Sequence, residues 1–198
     1  MSLPHDALPE ASVLEQAFKC EIEDASGAKI QFGSLFAEQK TVVVFVRQFF
    51  CGQYVSQLAT VPEAALEAAS TKLVVIGCGD YRVLEHYKDL TEFHGSIYAD
   101  SSLQLYQLFG MISNLAVTPS DQEKPSYITR SRLAGAWVGW KNGPMKAPSL
   151  MGKQGPIRQL GGDFVFGPGN QCTFAHRMRH TEDHIEVADL MKTAGVIL

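Results

Sequence analysis

The sequence has few cysteines, and their spacing excludes two kinds of site. The four cysteines are Cys20, Cys51, Cys78 and Cys172, and no two of them stand within three residues of each other. This spacing excludes a CxxC zinc ribbon and a local CxxC redox pair. Because so few cysteines in 198 residues are typical of a reducing compartment, we expect a cytoplasmic protein.

The sequence also lacks a strong charge of one sign and a long apolar run. The net charge is −4, and no long basic run exists, so we expect no nucleic-acid partner. No apolar run approaches the roughly 20 residues that cross a bilayer. Residues 1–10 show no basic segment followed by an apolar one, so they do not predict a secretory signal. We therefore expect no membrane partner.

What the chain does contain is an alternation of predicted strands and helices. Residues 41–46 and 72–77 are β-branched runs that predict strands buried on both faces. Helical patterns follow each of them, and residues 97–99 predict a third, shorter strand before another helix. This alternation indicates an α/β domain whose parallel sheet is covered by helices on both sides.

Other segments are predicted to surround this central unit. Residues 20–32 predict an N-terminal hairpin with Asp and Gly in its turn. Residues 163–176 predict a C-terminal hairpin, and a last helix is expected over about 182–194. Residues 1–17 are predicted to be a leader, or to form a short helix around residues 11–18, and a single domain is predicted over 18–198.

One stretch interrupts the pattern. Residues 113–158 contain five of the nine prolines and both tryptophans, and we interpret them as an insertion with some helix around 127–140. A structureless loop of this length is unusual in a compact domain, so a functional role or a lid is expected.

Cys51 is the candidate nucleophile. It follows the first long predicted strand at the expected start of a helix, and sites in open α/β sheets lie at the carboxyl ends of strands. A helix N-terminus favours a thiolate, and the nearby Arg47 would lower the pKa of the thiol further. Such a thiolate suits peroxide or disulfide chemistry. The alternative is that Cys51 is a small buried hydrophobic residue.

The segment Val-Phe-Val-Arg-Gln-Phe-Phe-Cys at residues 44–51 resembles the strand-to-cysteine segment of the peroxiredoxin-like 2 group, within the AhpC/TSA antioxidant class. The resemblance covers about residues 18–195 and continues through residues 74–79, 98–100, 105–111 and 159–167. It implies a thioredoxin-like fold, with a central mixed sheet flanked by helices. It also implies a thiol oxidoreductase without a cofactor that uses a thiol reductant such as glutathione or thioredoxin. A homodimer is left open.

Two departures from the family pattern affect this activity. Many members place a second cysteine three residues after the first, where Tyr54 stands here. Ordinary peroxiredoxins have Pro-x-x-x-Thr-x-x-Cys, whereas Val44 and Gln48 occupy the Pro and Thr positions, and that Thr normally helps to orient the peroxide. The resemblance therefore implies a one-cysteine activity, or one with a distant partner. The candidate partner is Cys172, and an outside thiol is the alternative.

The remaining candidates would contact the small-molecule substrate. They are Phe50, Gly52, Tyr54, Trp137, His176 and Arg177. His176, His180 and His184 are spaced by four, which on one continuous helix could hold a metal ion. Because His176 falls in a predicted strand, we expect no metal site there. The open interpretations are a basic cluster that faces an anion or substrate, and an ordinary polar surface or hydrogen-bonded packing.

A second hypothesis keeps the fold without the peroxide chemistry. The protein would then bind, or transform without redox chemistry, a small molecule in a pocket under the insertion, with Trp137 and Trp140 in its lining. The Gly-Cys-Gly at residues 77–79 lacks the third glycine of a dinucleotide fingerprint, so it is predicted to be a tight turn. Loss of activity in Cys51→Ser would support the first hypothesis, and retained activity the second.

Overall fold

The computed structural model describes residues 4–49, 52–116, 118–119, 125–128 and 148–198. The described helices are α1 (Ala11–Phe18), α2 (Gln53–Leu58), α3 (Glu63–Ala68), α4 (Leu84–Thr91), α5 (Gln104–Leu108) and α6 (Val187–Thr193). The described strands are β1 (Glu21–Glu23), β2 (Lys29–Gln31), β3 (Lys40–Val46), β4 (Thr71–Gly77), β5 (Ser96–Ala99), β6 (Gly162–Phe166) and β7 (Cys172–Arg177). Three short 3₁₀ turns lie at Phe32–Leu35, Tyr81–Val83 and Pro148–Leu150.

The strands form one mixed sheet in the order β2-β1-β5-β4-β3-β6-β7. β3, β4 and β5 are parallel neighbours, whereas β1, β2, β6 and β7 pair antiparallel. The two β-branched runs became β3 and β4, at the centre of the sheet, where strands are buried on both faces. The predicted helix-covered α/β sheet is therefore confirmed.

Each face of the sheet has its own hydrophobic core. The core that contains α1 and α5 is called the α1 face below, and the core that contains α2, α4 and α6 is called the α2 face. Because successive side chains of a strand point to opposite faces, β3 contributes to both cores. Val43 and Phe45 pack on the α1 face, while Val42, Val44 and Val46 pack on the α2 face.

Both predicted hairpins are confirmed. In the turn between β1 and β2, the carboxylate of Asp24 accepts hydrogen bonds from the N–H groups of Ser26 and Ala28, which is the expected turn chemistry. β6 pairs with β3 as well as with β7. The C-terminal hairpin therefore extends the central sheet beside the strand that precedes Cys51.

The N-terminal helix belongs to the domain, contrary to the predicted leader boundary. α1 lies at its expected position, but it buries Leu14, Ala17 and Phe18 in the core of the α1 face. Burying this apolar stripe stabilises the fold, so residues 11–17 cannot be separated from the domain as a leader.

The last helix is shorter than predicted. It begins at Val187 because the segment before it is held in another conformation by side chains of the sheet and the insertion. The N–H of Ile185 donates to the Asp163 carboxylate at 3.1 Å, and the N–H of His184 donates to the Tyr127 hydroxyl at 2.9 Å.

Most of the middle of the insertion, and with it most of the helix predicted around 127–140, lies outside the described residues. The parts that are described are tied to the domain. Ser113 forms a β-bridge with Gln159, and Tyr127 is buried in the core of the α2 face. Among the described helices, none has the length and apolar character needed to cross a membrane.

Candidate active site at the carboxyl end of β3

The chain that leaves β3 crosses the end of the neighbouring strand. Val46 pairs with Gly77, the last residue of β4. A Cβ atom on Gly77 would lie 2.1 Å from Cζ of Phe49, so only glycine leaves room for this ring. Phe49 is fully buried, and its N–H donates to the carbonyl oxygen of Gln154 at 3.2 Å. These contacts fix the chain two residues before Cys51.

Cys51 and Phe50 lie outside the described residues, so their predicted roles stay predictions. Gly52 is described, as the N-cap residue of α2. A Cβ atom on Gly52 would lie 2.7 Å from Cγ2 of Thr91, at the end of α4. Gly52 therefore allows the start of α2 to pack closely against α4.

Arg47 directly follows β3, and its guanidinium binds backbone carbonyls. Nη2 donates to the oxygen of Ile157 at 3.1 Å and Nη1 to the oxygen of Thr181 at 3.4 Å, while Nε is buried and has no hydrogen-bond partner among the described residues. In the part of the chain that the structure describes, no carboxylate pairs with Arg47. Its positive charge is thus held at the carboxyl end of β3 by carbonyl oxygens, with no carboxylate partner among the described residues.

A buried polar network lies beneath α2. The ring of Tyr54 stacks on the ring of His184, with centroids 4.2 Å apart and planes 5° from parallel. Nδ1 of His184 lies 2.9 Å from Oδ1 of Asp163, and the Tyr54 hydroxyl donates to the carbonyl oxygen of Ile185 at 2.7 Å. Burial, followed by the charge of Asp163, raises the pKa of Tyr54 well above its ordinary value. Tyr54 therefore acts as a hydrogen-bond donor and packing residue.

The three histidines spaced by four separate into two groups. Nε2 of His176 lies 3.9 Å, and Nε2 of His180 lies 3.7 Å, from Oδ1 of Asp183. His184 instead pairs with Asp163. Within the described ranges, no cluster of three or more His, Cys, Asp or Glu side chains could hold a metal ion.

Asp183 organises the segment that precedes α6. Its carboxylate accepts from the N–H, Nε and Nη2 of Arg179 at 2.7, 2.9 and 3.1 Å. Burial alone would raise the pKa of this carboxyl, but the hydrogen bonds of Arg179 and the charges of His176 and Arg179 outweigh it and lower the pKa. His176 is also engaged within the fold, since its Nε2 lies 2.6 Å from the carbonyl oxygen of Asp183.

Arg177, which the sequence analysis placed among the substrate contacts, is enclosed by the fold. Only 3% of it is exposed. Its guanidinium donates to the carbonyl oxygens of Ala7 at 2.6 Å, Pro4 at 3.3 Å and Phe109. Its N–H also donates to the oxygen of His5 at 2.7 Å. The N-terminal arm therefore covers Arg177, and its predicted substrate-binding role stays a prediction.

The three described cysteines all pack on the α1 face, opposite the helix that follows Cys51. Cys20, Cys78 and Cys172 are free thiols that contact the core of that face, whereas α2 packs on the other face. Burial raises the pKa of Cys78 and of Cys172 to about 12 each, and it raises the pKa of Cys20 as well. None of these three thiols is in an environment that favours a thiolate.

The register of the C-terminal hairpin places Cys172 far from the carboxyl end of β3. Cys172 pairs with Phe166, which pairs with Thr41 near the beginning of β3. Arg47 lies beyond the opposite end of that strand, roughly 20 Å away at about 3.3 Å per residue. Cys172 as the partner of Cys51 stays a prediction, because Cys51 lies outside the described residues.

Sequence analysis missed Asp163 and Asp183 as organisers of this region. A signal for Asp163 was available, because it is the only charged residue in the otherwise apolar stretch 160–166. A charge in a buried strand must be paired or hydrogen-bonded. The partners of Asp163 could not be inferred from that signal, because they lie about 20 residues further along the chain.

The predicted ligand pocket under the insertion depends on Trp137 and Trp140. Both residues lie outside the described ranges, so this hypothesis stays a prediction.

Comparison with known proteins places these features in a family. The model of the AhpC/TSA antioxidant enzyme family matches residues 57–180. Peroxiredoxin-like 2C of Mus musculus is 36% identical over 179 residues, which cover 87% of this chain and 76% of the mouse protein. The Homo sapiens protein of the same name is 35% identical with the same coverage.

Similarity to a solved structure supports the predicted thioredoxin-like fold. A mutant of peroxiredoxin 6 of Arenicola marina superposes with a TM-score of 0.56 at 15% identity, covering 96% of this chain and 72% of that one. The predicted thioredoxin-like fold is confirmed. The chain therefore belongs to the AhpC/TSA antioxidant enzyme family, within its peroxiredoxin-like 2 group.

Proposed function

We propose that this protein is a thiol-dependent oxidoreductase in which Cys51 attacks a peroxide or a disulfide. The family and the fold support a thiol oxidoreductase. The observation in the site that carries the proposal is the guanidinium of Arg47, held at the carboxyl end of β3 without a carboxylate partner among the described residues. A cation near a thiol favours the thiolate, which is the nucleophilic form.

With a peroxide, the thiolate of Cys51 attacks one oxygen and the O–O bond breaks. The sulfur is oxidised by two electrons to a sulfenic acid, and the departing oxygen takes a proton to become an alcohol or water. With a disulfide, the same attack breaks the S–S bond and gives a mixed disulfide and a free thiol.

An outside thiol completes the cycle in this proposal. It condenses with the sulfenic acid, water leaves, and a second thiol then breaks the mixed disulfide to restore Cys51. The pKa values of Cys78 and Cys172, which burial raises to about 12, favour an outside thiol over an internal partner. Cys78 lies at the same end of β3 as Arg47, and its Sγ donates to the Arg47 carbonyl oxygen at 2.8 Å. Glutathione and thioredoxin are the reductants to test.

The test is peroxide consumption by the full chain with either reductant. Cys51→Ser is expected to lose turnover, while the matched variant Cys172→Ser keeps it. Turnover that survives in Cys51→Ser would refute the proposal. Turnover lost in Cys172→Ser would show that an internal partner resolves the product.

A further inference from the structure

The network beneath α2 contains a buried carboxylate that the proposed chemistry does not use. Asp163 is fully buried in β6, where it pairs in register with Val44 of β3. A carboxylate is costly to bury unless its oxygens are hydrogen-bonded and its charge is compensated. An apolar residue would fill this strand position without that cost, so the carboxylate calls for an explanation.

Both oxygens of Asp163 bind the segment that precedes α6. Oδ1 lies 2.9 Å from Nδ1 of His184, and Oδ2 accepts from the N–H of Ile185 at 3.1 Å. A carboxylate on one ring nitrogen fixes both the tautomer and the orientation of an imidazole. Asp163 thus determines how the His184 ring is presented to its neighbours.

His184 and Ile185 both contact Tyr54 of α2, so Asp163 also constrains the position of α2. The His184 ring stacks in parallel on Tyr54, and the carbonyl oxygen of Ile185 accepts the Tyr54 hydroxyl at 2.7 Å. Tyr54 is the second residue of α2 and stands three residues after Cys51. With only six residues, α2 is too short to be stable through helix propensity, so tertiary contacts must hold it.

We propose that Asp163 is a positioning residue that acts through His184 and Tyr54. It fixes the first turn of α2 and thereby sets the reactivity of the Cys51 thiol. This inference rests on the proposed function in one respect, that Cys51 is the reacting thiol.

Other charged and titratable groups also face this network. Tyr127 and Glu186 face Tyr54, and Asp183 and Glu186 face Tyr127. A variant must therefore change Asp163 alone and leave these groups in place.

The test compares two buried aspartates on opposite faces of the sheet. Asp163→Asn removes the charge beneath α2. Asp100→Asn is the matched control, because Asp100 is 2% exposed and accepts from the N–H groups of Gln104 and Leu105 at the start of α5. For each variant, the alkylation rate of Cys51 is measured against pH by mass spectrometry of its peptide. Hydrogen exchange of residues 53–58 is measured in parallel.

We expect Asp163→Asn to loosen the first turn of α2 and so to raise the Cys51 thiol pKa by about one unit, which lowers its alkylation rate about tenfold at neutral pH. This shift is opposite in sign to the one that removal of a negative charge alone would give. It should also speed hydrogen exchange in α2. Asp100→Asn should do neither, although it lowers the melting temperature. Tyr54→Phe keeps the ring and loses only the hydroxyl bond, so it should shift both readouts in the same direction by less. If Asp163→Asn does not fold, Tyr54→Phe is the variant that tests the proposal.

An alkylation profile in Asp163→Asn that matches the wild type overturns the positioning role, whatever happens to exchange in α2. A Cys51 that titrates like an ordinary thiol in the wild type counts against the proposed function instead. In that case, a profile changed by Asp163→Asn and unchanged by Asp100→Asn still supports positioning, and an unchanged profile refutes it.

Discussion

The two faces of the sheet are built from different chemistry. The α1 face buries seven phenylalanines, namely Phe18, Phe32, Phe36, Phe45, Phe109, Phe164 and Phe166, together with three of the four cysteines. The α2 face has a largely aliphatic core beside the hydrogen-bonded pair of Asp163 and His184 and the hydroxyls of Tyr54 and Tyr127. One face has a mainly aromatic core with the buried Asp100 and Arg177 beside it, and the other holds a polar network under the helix that follows Cys51.

Because the two faces differ in this way, we expect one to determine mainly the stability of the fold and the other mainly the reactivity of Cys51. An aromatic core gains from burial and from edge-to-face contacts, and it needs no fixed charge. A polar network gains little net stability, but it specifies orientation. We therefore expect variants on the α1 face to change mainly the free energy of unfolding, and variants near the α2 face to change mainly the chemistry of Cys51.

The largest expected difference is in thiol reactivity. At pH 8, Cys51 should alkylate in the folded protein, while Cys78 and Cys172 should react about a thousandfold more slowly than ordinary thiols, because their pKa values are about 12 rather than about 8.5. Peptide-resolved alkylation kinetics would measure this, with the denatured protein as the control in which all four cysteines react. Rapid native labelling of Cys78 would contradict the difference between the faces.

The aromatic core should dominate the free energy of unfolding. Phe166 is fully buried and stacks on Phe36 with ring centroids 4.9 Å apart. Phe166→Ala should lower the free energy of unfolding by about 3–5 kcal/mol, as measured by urea denaturation. The thiol pKa of Cys51 in the remaining folded protein should not change. A shifted thiol pKa would mean that the two faces are coupled.

A variant of Arg47, at the end of β3, should instead change mainly the pKa of the Cys51 thiol. Arg47→Met removes a cation close in sequence to Cys51 and should raise the thiol pKa by about one unit, with an approximately tenfold loss of alkylation rate at neutral pH. Arg47→Lys keeps the charge and should retain most of the rate. Equal losses in the two variants would assign Arg47 a role through its carbonyl contacts instead.

The smallest effect is expected from Asp183, and it depends on pH. The folded-state pKa of this carboxyl is lowered, so its stabilisation is present above the unfolded-state pKa of about 3.9 and is lost as the pH falls through the lower folded-state value. Asp183→Asn should lower the free energy of unfolding by about 1–2 kcal/mol at pH 7. Urea denaturation should show the free energies of unfolding of the two proteins converging as the pH falls through the lowered folded-state pKa. If the difference in free energy of unfolding between the two proteins stays constant as the pH falls, the ionised carboxylate is not the cause of that difference.

The local elements were predictable because their signals are local. The runs that became β3 and β4 are apolar from residues 42 to 46 and 73 to 77, and the turn at Asp24 needs only neighbouring N–H groups. The start of α6 was not predictable. Its apolar stripe suggests a longer helix, but the residues before Val187 are bound by Asp163 and Tyr127.

The candidate site likewise has features that local sequence signals predict and features that they do not. The sequence by itself determined that a lone cysteine follows a buried strand, with Arg47 before it and Tyr54 where a second cysteine could stand. Only the tertiary structure decided which side chains lie on which face, that Arg177 is covered, and that Cys172 lies at the far end of β3 from Arg47. The physical reason is that these contacts join residues that are far apart in the sequence. Tyr54 binds Ile185 across 131 residues and Arg47 binds Thr181 across 134, and no local pattern encodes a hydrogen bond over that separation.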